Sequence, residues 1–157
     1  MKRIFLIFLL FSISLFAEFK REKFGFGIIE KSYKNYDCSL IANEGDKDSD
    51  YKPFILLSFP DKPFRIDFKD NFISFKDDKV ELALIDNYLY ETNSTRIFYA
   101  ANVYVVLIHD KNILQAFFNA IMDDTFNVFT HEKKHTFNFK KYKNDIIASE
   151  FYKKIED

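Results

Sequence analysis

Cysteine occurs once in the 157 residues, as Cys38, so the chain cannot close a disulfide on itself. Tryptophan is absent, and glycine and proline number only three each, which excludes a low-complexity linker or a collagen-like repeat. Neither sign of charge is in excess: 23 basic residues face 24 acidic ones, interspersed along the chain. No basic stripe is available for nucleic acid or an anionic membrane. The one long apolar run, Ile4 to Phe16, has thirteen residues. As a helix it would reach about 20 Å, short of the roughly 30 Å of a bilayer's hydrocarbon core.

What is present begins with that run. Lys2 and Arg3 precede it, Ser12 and Ser14 alone interrupt it, and Ala17 places a small residue before a polar segment. This is the pattern of a bacterial secretory signal peptide with cleavage after Ala17, and Ser14 offers a second cut. The expected organisation is residues 1–17 as signal peptide and 18–157 as one periplasmic globular domain, 140 residues long with a formal charge of −3. An uncleaved segment would tether that domain to the inner membrane; the cleaved form has no membrane span. No cysteine ends the run, so a lipid-modified N-terminus is unsupported.

Aromatic residues make up 19% of the chain, 21 of them Phe, so a core without disulfides can be built from rings. Alternation predicts strands over Phe24–Ile29 and Tyr36–Ala42, with Phe24, Phe26 and Ile28 on one side of the first and Tyr36, Cys38, Leu40 and Ala42 on one side of the second. Phe54 to Phe59 is a continuous apolar run between Pro53 and Pro60, of strand length. Phe64, Ile66 and Phe68 alternate with polar residues, and Phe72–Phe75 with Val80–Ile85 forms a hairpin that Tyr88–Tyr90 extends. Val103 to Ile108 is another strand, although Arg96 to His109 also admits partial helix.

The period then lengthens. Asp110 caps a helix carrying Ile113, Leu114, Phe117, Ile121 and Met122 on one face. Phe126–Thr130 and Thr136–Phe139 form a second hairpin around His131–His135, and Asn144 starts a closing helix that buries Ile147, Phe151 and Ile155. The expected fold class is α+β or mainly β: an antiparallel sheet or compact β-sandwich with two packed helices.

His131, Glu132, Lys133, Lys134 and His135 satisfy the zinc-protease spacing H-E-x-x-H. That spacing works on a helix, where both imidazoles share a face and the glutamate activates metal-bound water. Here the flanking period is two, and two lysines would crowd a divalent cation. His131 and His135 are therefore weak metal candidates, and a zinc hydrolase is a remote alternative. Asp46, Asp48 and Asp50 open like a calcium loop, yet Tyr51 stands in the glycine position and Leu57 in that of the bidentate glutamate. Gly25 and Gly27 begin a dinucleotide fingerprint that Glu30 breaks. Cys38, in an alternating strand, reads as a buried structural thiol. No catalytic residue and no cofactor is expected.

The order of elements resembles small exported bacterial proteins of the invasion-associated locus B type. The likeness rests on Tyr36–Ala42 and on Ile113–Phe151, with the aromatic strand Thr136–Phe139 before the closing helix; this chain lacks that family's additional cysteines and its glycine near the closing helix. The resemblance implies a β-sandwich-like periplasmic domain without catalytic residues. The functional expectation is a non-enzymatic accessory or structural protein docking onto an envelope assembly such as a flagellar motor, a secretion apparatus or an envelope-maintenance complex. A small periplasmic inhibitor or ligand-binding protein is the alternative. Tyr33, Tyr36, Tyr51, Tyr88 and Tyr90 are the candidate partner surface, because tyrosine joins apolar area to a polar tip.

Overall fold

The structure, a computed structural model, describes residues 18–32, 36–45, 52–76, 79–84, 88–91 and 94–157. Among these residues, twelve strands lie in two antiparallel sheets. Sheet A holds β1 (Glu18–Glu22), β2 (Gly25–Lys31), β3 (Asp37–Asn43), β4 (Phe54–Phe59), β10 (Val103–Ile108) and β9 (Thr95–Ala100), in that spatial order. Sheet B runs β12 (Lys134–Asn138), β11 (Thr125–Thr130), β5 (Pro63–Phe68), β6 (Asn71–Lys76), β7 (Lys79–Leu84) and β8 (Tyr88–Glu91). Three short helices complete the described fold: α1 (Lys111–Asp123), α2 (Lys143–Ile147) and α3 (Glu150–Glu156). The class is the expected one, mostly antiparallel β with packed helices.

Neighbouring phenylalanines on α1 join the sheets. Successive helix residues diverge by about 100°, so Phe117 turns to sheet B, edge-on to Phe68 at 5.4 Å and Phe126 at 5.6 Å. Phe118 turns to sheet A and α3, meeting Phe26 at 6.1 Å and Phe151 at 5.3 Å. Where α1 does not intervene, the sheets touch directly through Phe59 and Phe137, 6.5 Å apart. The result is one continuous core spanning both sheets and all three helices.

Asp110 caps α1 as expected, its carboxylate accepting the Ile113 N–H at 3.1 Å. The closing helix differs from expectation. A 3₁₀ turn at Lys140–Tyr142 precedes it, and its tighter period of three residues shifts the buried phase from Ile147, which is exposed, to Ile146. Ser149 then breaks the helix in two. Its hydroxyl donates to the Ile146 carbonyl at 2.6 Å and accepts the Tyr152 N–H at 3.1 Å, ending α2 and capping α3.

Two phenylalanines also lie off the faces that alternation predicts. Phe24 is in the turn between β1 and β2, half exposed, because the chain reverses there to pair β1, a strand that the alternation does not reveal. Phe64 is 40% exposed because β5 slips in register against β11 between Arg65 and Pro63, which turns its side chain off the buried row.

Arg96 to His109, which by sequence admits partial helix, is a hairpin, β9 paired with β10. Ala101 and Asn102 make its two-residue turn, both at positive φ, 50° and 64°. Alanine carries a steric cost there that glycine does not. Replacing Ala101 by Gly is expected to raise stability by about 0.5–1 kcal/mol in urea unfolding; a loss instead would show that the turn is not held in this conformation.

Candidate functional site

Tyr36 stands immediately before β3, and its side chain turns inward. It is 6% exposed, its ring stacks on that of His135 at 3.8 Å, and its hydroxyl donates to the Asp61 carbonyl at 2.8 Å. Tyr36 is therefore an inter-sheet core residue and not part of a partner surface, which corrects the sequence reading. Tyr33 and Tyr51 lie outside the described residues. Tyr88 and Tyr90 fall on β8, with their backbones paired to Leu84 and Leu82 at the edge of sheet B.

The H-E-x-x-H spacing straddles a strand hairpin, as the two-residue period implied. His131 is exposed at the turn, its ring 6.0 Å from Phe64, whereas His135 is buried on β12 against Tyr36. The two imidazoles occupy different environments because the backbone here is not the helix that would put them on one face. Among the described residues no group of three or more His, Cys, Asp or Glu side chains is placed to hold a metal ion. Asp46, Asp48 and Asp50 lie outside the described residues.

Cys38 is fully buried on the inner face of β3. Burial pushes its thiol well above the ordinary range, and the nearby carboxylates of Glu30 and Asp37 add to the rise. Such a thiol stays protonated and is a poor nucleophile. Two lysines at the start of the closing helix are ion-paired: Lys143 with Asp123 at 2.6 Å, and Lys141 with Glu30 at 2.7 Å. Glu30 also accepts the Tyr142 hydroxyl at 3.0 Å, tying the chain before α2 to β2.

Tyr36 and Tyr142 both have phenolic pKa values raised, chiefly by burial, with the Glu30 hydrogen bond and charge second for Tyr142. A folded-state value above the unfolded value means a contribution fully present below about pH 10 and lost as pH rises beyond it. Stability is expected to fall between about pH 9 and pH 11, and a Tyr36→Phe/Tyr142→Phe variant to fall less over that window. Urea midpoints at the two pH values measure the difference; equal declines would remove these phenols as the cause.

Among the described residues, a cavity of about 460 Å³ lies at the N-terminal end of α1. Lys52, Lys111, Lys154 and His109 line it together with Asp110 and Ser94. Lys154 already donates to the Glu44 carbonyl at 3.0 Å, and the Asp110 carboxylate is occupied by the helix cap. The lining has a surplus of positive charge, suited to a small anion.

The fold thus defines a two-sheet antiparallel protein with an aromatic core and short bridging helices. No family model, curated protein or solved structure matches this chain.

Proposed function

We infer that this chain is a bacterial periplasmic accessory protein, non-enzymatic, that docks onto a larger cell-envelope assembly. The export half of that reading is supported by Lys2, Arg3, the apolar run Ile4–Phe16 and Ala17. The docking half is supported by a single observation in sheet A. Phe98 and Tyr99 are 40% and 60% exposed on β9, an edge strand of that sheet, where large apolar side chains in water suit a partner contact. Flagellar motor, secretion apparatus and envelope-maintenance complex are the assemblies proposed, and the likeness to invasion-associated locus B proteins accords with a periplasmic domain of this kind.

Affinity purification from the envelope fraction at endogenous expression tests the reading. Co-purification of a defined envelope complex is expected, and recovery of monomer alone would sink it. N-terminal sequencing of the recovered chain is expected to begin at Glu18. The cavity beside α1 favours a second reading, a carrier of a small anionic ligand; calorimetric titration with citrate or phosphate would show binding weakened in Lys111→Ala if that reading holds. A zinc hydrolase would instead carry near-stoichiometric zinc, and metal analysis of the purified protein is expected to find well under one zinc per chain.

A further inference from the structure

Three separate elements each bring a lysine to the cavity beside α1: Lys52 from the chain entering β4, Lys111 from the first turn of α1, and Lys154 from α3. Lys20, Lys141, Lys143 and Lys153 each pair with a carboxylate, whereas Lys52, Lys111 and Lys154 form no ion pair among the described residues. Their positive charge is therefore not cancelled by side chains. The carboxylate in the described lining, Asp110, offsets part of it and is itself engaged by the Ile113 N–H at 3.1 Å. Like charges gathered around a concave site repel one another and concentrate the local potential, and an anion touching all three relieves both.

Two of the three lysines are held in place before any ligand arrives. Lys154 donates one of its three N–H groups to the Glu44 carbonyl at 3.0 Å, which leaves two for a ligand. The Gln115 side-chain amide donates to the Ile155 carbonyl at 2.5 Å and ties α3 to α1, so the helices bearing Lys111 and Lys154 are fixed to each other.

Size and lining then select the ligand class. The volume, about 460 Å³, equals that of about fifteen waters at their liquid share of roughly 30 Å³, far more than a lone phosphate fills, and it lies in the range of sites for small organic molecules. The lining also includes Leu114 and Ile155, but these are 0% and 1% exposed, so an aliphatic or aromatic ligand body gains little burial against them. Charge and not apolar area is what the cavity offers.

We propose that the cavity binds a compact organic polyanion, a di- or tricarboxylate whose charged groups Lys52, Lys111 and Lys154 engage together. The proposal rests on the small-anion reading of this cavity and narrows it, from any small anion to one with several carboxylates spread over a short carbon frame.

Calorimetric titration of the purified protein with propionate, succinate and tricarballylate, which carry one, two and three carboxylates, tests the proposal, with inorganic phosphate titrated alongside. Affinity is expected to rise along the series, about tenfold or more from propionate to tricarballylate, because each added carboxylate meets another lysine. Lys52→Met and Lys111→Met remove exposed charges and keep the apolar stems; each is expected to weaken tricarballylate about tenfold and propionate far less. Lys76→Met, outside the cavity lining, is expected to leave both unchanged. Nuclear magnetic resonance shifts on adding tricarballylate are expected at Lys111–Leu114 and at Lys154. Propionate or phosphate binding as tightly as tricarballylate would overturn the proposal and leave the small-anion reading standing, whereas no binding of any of the four would overturn both. An equal loss in Lys76→Met, or shifts confined to other parts of the fold, would show general attraction to surface cations and would likewise overturn it.

Discussion

Replacing Phe126 by Ala is expected to cost about 3–5 kcal/mol, the range for truncating a fully buried phenylalanine. Phe126 is 0% exposed on β11, where four rings meet. It stacks on Phe137 at 5.2 Å and meets Phe139 edge-on at 5.2 Å and Phe117 at 5.6 Å. Those partners belong to β12, to the residue before the 3₁₀ turn and to α1, so three elements lose a common contact. The cavity cannot collapse easily, because Phe117 and Phe137 are themselves held by Phe118 and Phe59. A loss of this size is a large fraction of the roughly 5–15 kcal/mol that holds a domain folded. Urea unfolding should show a lower midpoint with an unchanged slope. Phe126→Leu, which retains most of the apolar volume, should cost only about 1–2 kcal/mol; an equal loss in both variants would show that the ring cluster is not the source.

The second large effect is expected from filling the space of a single hydrogen atom. Gly25 opens β2 at φ +153°, and a Cβ there would lie 1.9 Å from the Ala42 carbonyl oxygen and 2.8 Å from its carbon. Both are backbone atoms of β3, held in register by the Gly25–Asn43 and Phe26–Ala42 pairs, so neither can step aside as a flexible side chain would. The adjoining hydrogen bond, from the Glu44 N–H to the Phe24 carbonyl at 2.8 Å, closes the same corner. Gly25→Ala must either strain the backbone or part β2 from β3, at a cost of at least about 2–3 kcal/mol. Thermal or urea unfolding measures it, and nuclear magnetic resonance shifts should concentrate at Phe24–Phe26 and Ala42–Glu44. A variant within about 0.5 kcal/mol of the parent would show that this corner relaxes freely.

The hairpin that disarms the H-E-x-x-H spacing is legible in the residues alone, because Phe126, Val128 and Thr130 have a period that a helix cannot use. So is the cap at Asp110, since its side chain acts on the backbone three residues away and needs no distant partner. Phe118 is not legible as a core residue, because burying both it and its neighbour takes two separate surfaces: sheet B against Phe117, and sheet A with α3 against Phe118. Tyr36 is ambiguous for a similar reason. Its alternation with Cys38 and Leu40 places it on the inner face, but a tyrosine near a loop is apolar enough for a core and polar enough for a surface. The stack on His135 and the hydroxyl bond to Asp61 decide between them, and both partners are remote in sequence.

Phe54 to Phe59 carries the point furthest. A run apolar at nearly every position states that both faces of its strand are covered, since side chains alternate between them. The sequence by itself determined that much, together with the strand periods, the cap of α1, the lone thiol and the apolar segment before Glu18. Tertiary structure alone decided that Ile55, Leu57 and Phe59 enter the main core while Leu56 and Ser58 join Ile41 and Val105 on the far side of sheet A. The reason is physical: periodicity is a property of the local backbone, whereas the partner that covers a face is set by which distant strands fall into register beside it.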